Sequence, residues 1–338
     1  MAIKLFLKIF FSLPVWLLRC MTFQKSTIIN NQILDFQTQI FLALQSLQVD
    51  GLDDPSSFDS AQEIREFMIE GLPLSSKPTM HIKIKDHSLP TEFGHLKIRE
   101  YCPEKITSSS PILYFHGGGY VLGGIESHDA ALQFFAAEME ASIFSLDYRL
   151  APENKFPSSL QDANLALEWL GKELNLPISE ISLCGDSAGG HLSASLSTYR
   201  AINKLELPLS QCLIYPMTDP LCNSRSQVDF DSGFFLSQKA MIWFWEQLMQ
   251  SSDNLHDPAF NLTIDPKASL PKTLIITAGF DPLSDEGEAY ARFLDNIGNE
   301  VRQIHYPHLI HGFVNMTALK AAKVATKDLL KIYKNFLK

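Results

Sequence analysis

A short apolar run, 181–184, leads directly into the sequence Gly-Asp-Ser-Ala-Gly-Gly at 185–190, and a helix-compatible stretch, 191–199, follows. This order predicts a buried strand, a sharp turn and a helix, with Ser187 at the tip of the turn. Strand and helix cross closely at such a turn, so the positions beside the serine must be small. The turn would hold the Ser187 hydroxyl clear of the backbone, where a base can activate it as a nucleophile.

Three glycines follow His116 at the end of a second apolar run, 111–115. Consecutive glycines leave backbone N–H groups uncovered, so that a negatively charged oxygen can approach them closely. We predict that the N–H groups of Gly117, Gly118 and Ala188 form such an oxyanion hole. A flexible surface turn is the alternative, but these glycines follow a buried-looking strand and lie upstream of the serine.

A carboxylate ends a third apolar run, 274–280, and a histidine follows further along the chain. Asp281 lies at the strand end, where a rigid scaffold can fix an acid that orients a histidine. Its rival Asp285 lies in an acidic stretch typical of a first helical turn. We interpret His311 as the base, with His308 and His305 as rivals, because the order serine, acid, histidine is that of α/β-hydrolases.

These stretches together resemble one family, the hormone-sensitive-lipase-like carboxylesterases of the α/β-hydrolase fold. The resemblance covers roughly residues 33 to 338, and its motifs follow the family's order and spacing. The motifs are HGGGY at 116–120, DYRLAPE at 147–153 with FP at 156–157, GDSAGG at 185–190, DPL and DEG within 281–287, and HGF at 311–313. The resemblance implies Ser187 as nucleophile, His311 as base and Asp281 as its orienting acid. One position departs from the family, which usually has a glycine three residues before the catalytic histidine, where this chain has His308.

The resemblance implies a serine esterase that hydrolyses short-to-medium acyl esters without a cofactor. Amide or formamide hydrolysis is an alternative, because it passes through the same tetrahedral intermediate. A second alternative is a ligand-binding receptor of the same fold, in which the catalytic histidine is lost. Retention of Ser187, Asp281 and His311 argues against the receptor.

The spacing of apolar residues predicts an α/β fold with a mostly parallel central sheet flanked by helices. Helices are expected over 35–47, over 64–70 behind a capping box at Ser60 and closed by Gly71, and over 160–173 with Ser158 as cap. Alternating segments at 79–85 and 95–99 predict paired strands. We divide the chain into an extension, 1–30, and a catalytic domain, 31–338, with a helical cap from about 31–78 and about 223–260.

An aromatic-rich insert at about 228–254 is expected to add helix to this cap before the strand that ends in Asp281. Its aromatic side chains either line an acyl or alcohol pocket or pack the cap onto the body. We expect a substrate pocket lined by Tyr120, Phe235, Trp243 and His308. Trp243 and Trp245 cannot both face that pocket, because residues two apart diverge on a helix.

Composition excludes several other functions. The net charge of −10 argues against nucleic-acid binding. Five widely spaced cysteines do not form a disulfide framework, and neither zinc-ligand spacing nor a nucleotide-binding glycine motif is present, so we expect no metal and no cofactor. A small-molecule ester is the expected partner, and the sequence leaves the oligomeric state open.

Residues 1–18 are strongly apolar apart from Lys4 and Lys8, which with Ser12 form one polar stripe on a helix until Pro14. The longest uncharged run, 9–18, is too short to cross a bilayer. A helix lying in a membrane interface fits this pattern, which predicts a cytoplasmic protein with peripheral membrane contact through residues 1–20. A helix packed on the cap and an export signal remain alternatives, although no small-residue cleavage site follows.

Overall fold

The computed structural model describes residues 10–11, 13–22, 25–46, 54–55, 60–69, 81–108 and 110–338. Its ten strands are β1 (Ile28–Ile29), β2 (Gln32–Ile33), β3 (Ile82–Thr91), β4 (Gly94–Pro103), β5 (Ile112–Phe115), β6 (Ile143–Asp147), β7 (Ser182–Asp186), β8 (Ser210–Ile214), β9 (Lys272–Phe280) and β10 (Val301–Ile310). Its α-helices are α1 (Val15–Thr22), α2 (Phe36–Gln45), α3 (Ala61–Ile69), α4 (Ile125–Met139), α5 (Ser158–Leu174), α6 (Ala188–Ile202), α7 (Arg225–Asp229), α8 (Gln238–Leu248), α9 (Ser284–Asn296) and α10 (Lys320–Phe336).

Eight strands form the central sheet in the order β10-β9-β8-β7-β5-β6-β4-β3. The six strands from β5 to β10 are parallel, while β4 pairs antiparallel with both β3 and β6. This arrangement confirms the predicted mostly parallel α/β fold. Strands β3 and β4 extend further than the segments 79–85 and 95–99 predicted from the sequence. The predicted start of β3 at 79–80 lies outside the described residues.

Helices cover both faces of the sheet, as the fully apolar strand β5 requires. Ile112 and Tyr114 of that strand belong to one buried cluster, and Leu113 and Phe115 belong to another. Helices α4 and α10 contribute to the first cluster, and α5 and α6 contribute to the second. Because parallel strands all end at one edge, this sandwich places the loops after β5, β7, β9 and β10 side by side.

Of the two N-caps predicted from the sequence, Ser60 is confirmed and Ser158 is not. Asp35 accepts a hydrogen bond from the Thr38 N–H at 2.9 Å at the start of α2, and the Ser60 hydroxyl accepts one from Glu63 at the start of α3. The prediction for α5 is wrong, because Ser158 is already helical and Pro157 stands at the N-cap without a side-chain bond. A proline suits the start of a helix, since it has no N–H to satisfy. The predicted end of α3 at Gly71 lies outside the described residues.

Two separate stretches of chain lie where the helical cap was predicted. The N-terminal stretch contributes α2 and α3, and the insert between β8 and β9 contributes α7 and α8. The stretches meet where the rings of Phe41 and Phe235 lie 6.3 Å apart and where Asn30 donates to Asp229 at 2.8 Å. The predicted boundary after residue 30 falls in the turn between β1 and β2, so it divides a hairpin.

The described part of the N-terminal extension is packed onto the body of the protein. Phe11 and Leu18 are buried in the same cluster as α10. Gln37 connects them to that helix, since its amide donates to the Phe11 carbonyl at 2.7 Å and accepts from the Lys320 N–H at 2.8 Å. No helix within the described ranges is long and apolar enough to cross a membrane. The polar stripe at Lys4, Lys8 and Ser12 lies outside the described residues.

Replacement of Leu18 by alanine should lower the free energy of unfolding by about 2–5 kcal/mol, the usual cost of truncating a fully buried leucine. Leu18 has no exposed surface, whereas Trp16, two residues earlier on the same helix, is 67% exposed. Trp16→Ala is therefore the matched control and should change stability by less than about 0.5 kcal/mol. Urea denaturation followed by circular dichroism measures both, and equal midpoints for the two variants would contradict the packing of α1.

Candidate active site

Ser187 stands between β7 and α6 in a strained backbone conformation, with φ 56° and ψ −117°. Two neighbouring positions allow no side chain. A Cβ on Gly185 would lie 2.2 Å from the Gly189 carbonyl oxygen, and one on Gly189 would lie 1.9 Å from the Phe115 carbonyl oxygen. The sharp turn predicted from the glycine spacing is present, and backbone-to-backbone contact with β5 is the reason for the glycines.

Ser187, His311 and Asp281 form one hydrogen-bonded line. The Ser187 Oγ lies 2.9 Å from Nε2 of His311, and Nδ1 of His311 lies 2.8 Å from Oδ2 of Asp281. Because a carboxylate only accepts, Nδ1 carries the proton and Nε2 is free to accept one from the serine. Asp281 is fully buried, and its second oxygen accepts the Leu283 N–H at 2.8 Å. The acid is thereby fixed from two sides.

The rival acid Asp285 has a different partner. Its Oδ2 accepts the Ser226 N–H at 2.9 Å, and the next residue, Glu286, accepts the Gln227 amide at 3.1 Å. Burial raises the pKa of Glu286 to about 8, so this carboxyl is mostly neutral at pH 7. The two adjacent acids at the start of α9 therefore attach α7 of the insert to the body.

The rival histidines lie away from Ser187. His305 contacts Thr277 through Nδ1 at 2.9 Å, and burial lowers its pKa. His308 lies in the irregular part of β10, where the register with β9 shifts between Tyr306 and Ile310. The His308 carbonyl accepts the N–H of Asp35 at 2.9 Å. Of the three histidines considered in the sequence, the structure brings only His311 to the serine.

The N-terminal hairpin supports the loops that carry Asp281 and His311. With its side-chain amide oriented to satisfy its neighbours, Gln32 donates to the carbonyls of Gly279 at 3.1 Å and Pro307 at 3.2 Å. Its oxygen then accepts from Nε2 of His305 at 3.2 Å. Gly279 lies two residues before Asp281, and Pro307 lies four residues before His311. These bonds therefore connect β9 and β10 close to the acid and the base.

The predicted oxyanion donor Gly117 is wrong. Its N–H donates to Oδ1 of Asp186 at 2.9 Å and is not available to a ligand. Gly118 and Gly119 follow with φ of 117° and 60°, and the Gly118 carbonyl accepts the N–H of Leu122 at 2.7 Å. Within the described residues, no acceptor pairs with the N–H of Gly118, Gly119 or Ala188. The free donors are thus one residue further along the loop than predicted.

Asp186 connects three loops and was not singled out in the sequence. Besides Gly117, its carboxylate accepts the Tyr114 hydroxyl at 2.7 Å and the Asn315 amide at 3.2 Å, and it lies 3.3 Å from Nε2 of His128. Burial alone would raise its pKa, but His128 and the hydrogen bonds hold the pKa at about 2. Its place directly before the serine was the only signal in the sequence.

The side chains of His116 and Tyr148 pack against each other at the start of the glycine loop. The two rings stack with centroids 4.2 Å apart, and the Tyr148 hydroxyl donates to the His116 carbonyl at 2.7 Å. The His116 Nδ1 lies 2.8 Å from the Gly117 carbonyl, to which it donates. Burial lowers the pKa of His116 to about 3, so the ring is neutral at pH 7.

Of the predicted pocket residues, Tyr120 needs correction. It is only 2% exposed, and its hydroxyl lies 2.6 Å from Nδ1 of the buried His191. This hydrogen bond holds Tyr120, which directly follows the glycine loop, against α6. The reason could not be seen in the sequence, because His191 lies 71 residues later.

Two phenylalanines of the insert lie beside residues of the site. The ring of Phe235 would lie 3.0 Å from a Cβ on Gly312, next to His311. The ring of Phe244 would lie 2.2 Å from a Cβ on Gly119. Trp243 is half-buried against Phe244. The pocket roles of Phe235, Trp243 and His308 stay predictions, and Phe244 joins them as the residue that sequence reasoning did not select.

No group of three or more His, Cys, Asp or Glu side chains within the described ranges could hold a metal ion. The site itself contains a buried Ser-His-Asp line beside the three unpaired N–H groups of Gly118, Gly119 and Ala188. Such an arrangement can add a serine oxygen to a carbonyl carbon and stabilise the resulting oxyanion.

Comparison with known proteins places the chain among ester hydrolases. A family model described as an α/β hydrolase fold matches residues 112–315. A carboxylic ester hydrolase, LipN, of Mycobacterium tuberculosis is 32% identical over 92% of this chain and 85% of its own length. An arylesterase of Saccharolobus solfataricus is 32% identical over 75% of this chain and 83% of its own length.

A solved structure agrees with these relatives. A hyperthermophilic esterase from Pyrobaculum calidifontis superposes with a TM-score of 0.79 and 29% identity over 90% of this chain and 98% of that one. The fold, the sequence motifs and the relatives all lead to the same family. The chain belongs to the α/β-hydrolase family, in its hormone-sensitive-lipase-like branch, and is a serine ester hydrolase.

Proposed function

We propose that this protein is a carboxylesterase that hydrolyses short-to-medium acyl esters through a covalent acyl-enzyme on Ser187. The observation that carries this proposal is the continuous hydrogen-bonded line from Ser187 through His311 to Asp281. A receptor of this fold would have no need of that line, because binding requires no activated nucleophile.

Acylation begins when the Ser187 Oγ attacks the ester carbonyl carbon while Nε2 of His311 takes its proton. The carbonyl electron pair moves to the oxygen, which then accepts hydrogen bonds from the N–H groups of Gly118, Gly119 and Ala188. The Asp281 carboxylate holds the Nδ1 proton and stabilises the imidazolium that forms. When the intermediate collapses, the bond to the alkoxy oxygen breaks, and His311 protonates the leaving alcohol.

Deacylation repeats these steps with water as the nucleophile. His311 removes a proton from the water, whose oxygen attacks the acyl carbon of the Ser187 ester. The same backbone donors hold the second oxyanion. Its collapse releases the carboxylic acid and returns the proton to Ser187, so that no cofactor or metal is consumed.

The proposed acyl range is supported by the aromatic residues beside the site and by the relatives. Phe235 lies next to Gly312 and Phe244 lies next to Gly119, so bulky rings are close to both the base and the oxyanion donors. One relative, from Pseudomonas putida, is named an ethyl acetate hydrolase and is 34% identical over 70% of this chain and 77% of its own length. Small acyl esters are therefore the appropriate first substrates.

The direct test is hydrolysis of p-nitrophenyl esters of increasing acyl length beside a matched panel of arylformamides. We expect turnover of the short and medium esters, and Ser187→Ala should lose it while remaining folded. An organophosphonate should label the wild type once, on Ser187, by intact mass and peptide mapping. Faster turnover of formamides than of esters, or labelling of another serine, would overturn the proposal.

His311→Ala should abolish ester turnover almost completely, because no other base lies within hydrogen-bonding distance of the Ser187 hydroxyl in the described residues. His308→Ala is the control, since His308 lies three residues earlier, within β10, and does not contact the serine. It should retain most of kcat and change the preference among alcohol groups. A wild-type kcat in His311→Ala, or an inactive His308→Ala, would show that the base is misassigned.

Gly118→Ala should lower kcat by roughly 10²–10³, the usual effect of losing an oxyanion donor. A Cβ at this position would lie 2.3 Å from the Leu122 carbonyl oxygen, so the loop must shift. Gly94→Ala is the matched control, because its φ of 118° equals that of Gly118 within a degree and nothing lies within 4 Å of an added Cβ. Similar kcat values for the two variants would place the oxyanion donors elsewhere.

A further inference from the structure

The start of this acidic chain is a stretch in which only basic charges occur. The first 34 residues contain four basic side chains, Lys4, Lys8, Arg19 and Lys25, and no Asp or Glu. Since the whole chain carries −10, residues 35–338 carry −14. Such an asymmetry favours contact of this end with a negatively charged surface. A second basic stretch, 320–338, holds six lysines, of which Lys327 and Lys334 form ion pairs with Glu138 and Glu140.

Exposed apolar side chains lie in the same segment. Trp16 and Met21 of α1 are 67% and 54% exposed, and Ile28 and Ile33 of the β1–β2 hairpin are 61% and 55% exposed. These four make up half of the eight large apolar side chains that are more than half exposed among the described residues. Ile28 pairs with Ile33 across the hairpin, so both side chains point to one face. We call these four residues the N-terminal patch.

The patch belongs to a structured part of the protein. Arg19 of α1 donates to the Ser26 hydroxyl at 3.1 Å, next to the hairpin, and its guanidinium lies 4.3 Å from the ring centroid of Phe36. The Thr27 N–H donates to the Gln39 side chain of α2 at 3.0 Å. Helix and hairpin are thus connected to each other and to the body, and Leu18 fixes the buried side of α1.

The patch is also connected to the active site. Gln32, in the same hairpin, bonds the carbonyls of Gly279 and Pro307 near Asp281 and His311. A surface that docks through the hairpin would therefore hold the catalytic loops at a fixed position relative to it. This contact is separate from the proposed reaction, so lipid binding and ester hydrolysis can be measured independently.

We propose that the N-terminal patch is a peripheral docking surface for an anionic lipid bilayer. The apolar side chains of the patch lie at the boundary between headgroups and acyl chains, and Arg19 and Lys25 lie near lipid phosphates. Apolar area and positive charge act together in such contacts, which gives reversible binding that weakens with salt. No membrane-spanning helix is required.

The test is sedimentation of the full chain with phosphatidylcholine vesicles that do or do not contain phosphatidylglycerol. We expect binding to the anionic vesicles, little binding to pure phosphatidylcholine, and loss of binding as salt screens the charge. Replacement of Trp16, Met21, Ile28 and Ile33 by serine should lower the partition coefficient roughly tenfold or more. Hydrolysis of soluble p-nitrophenyl acetate should stay at the wild-type rate and serves as the check on folding.

The matched control replaces Leu221, Val228 and Val324, which are 61–62% exposed, by serine and should bind vesicles as the wild type does. If the fourfold variant does not fold, the pair Ile28→Ser and Ile33→Ser replaces it and should still weaken binding. Equal vesicle binding by patch variant and wild type would overturn the proposal. The proposal would also be overturned if the wild type did not bind anionic vesicles and sedimentation velocity showed a dimeric wild type and a monomeric patch variant. The N-terminal patch would then bind a second copy of the chain.

Discussion

The buried carboxylate of Asp186 is the interaction on which the geometry of this site depends. It accepts hydrogen bonds from Tyr114 on β5, from the Gly117 N–H in the glycine loop and from Asn315 in the loop after β10, and it faces His128 on α4. Asp186 immediately precedes Ser187, so the serine, the glycine loop and the histidine loop are positioned by one group. A buried charge without partners costs several kcal/mol, so these four contacts are what allows the carboxylate to stay charged in the interior.

Backbone contact supplies the second constraint. Ser187 keeps a strained φ of 56° because β7 and α6 lie against the main chain of β5, with no room for a side chain at Gly185 or Gly189. Strain of this kind persists only where the surrounding structure overdetermines it. The fully buried strands on both sides of β7, β5 and β8, supply that rigidity, and they place Ser187 where His311 and Asp281 can reach it.

The two stretches that contribute the cap are both attached to the body by apolar burial and by hydrogen bonds. The insert buries Phe244 and Trp245, and Asp285 and Glu286 of α9 bond to its Ser226 and Gln227. The N-terminal stretch is attached through the apolar burial of Leu18 and through Gln32. Its outer side carries the N-terminal patch and the local positive charge. The same segment therefore connects the interior of the site to the surface at which we propose lipid contact.

The amino-acid sequence by itself determined the parts of this protein that depend on local order. Glycine spacing located the turn at Ser187, and apolar runs located the parallel strands. Placement at a strand end selected Asp281 over Asp285, and the order of serine, acid and histidine selected His311. These inferences hold because a strand, a turn and a strand-end residue are defined by neighbours in the chain.

Only the tertiary structure decided which groups were already engaged. Gly117 is not available as an oxyanion donor, because its N–H bonds to Asp186, 69 residues later. Tyr120 is buried, and its hydroxyl bonds to His191. From the sequence, the apolar N-terminal segment could have faced lipid, the cap or solvent. In the structure one side of α1 is buried at Leu18, and another side is exposed at Trp16. Hydrogen bonds between distant residues and burial leave no periodic signal in a sequence, because each depends on how separate segments meet in space.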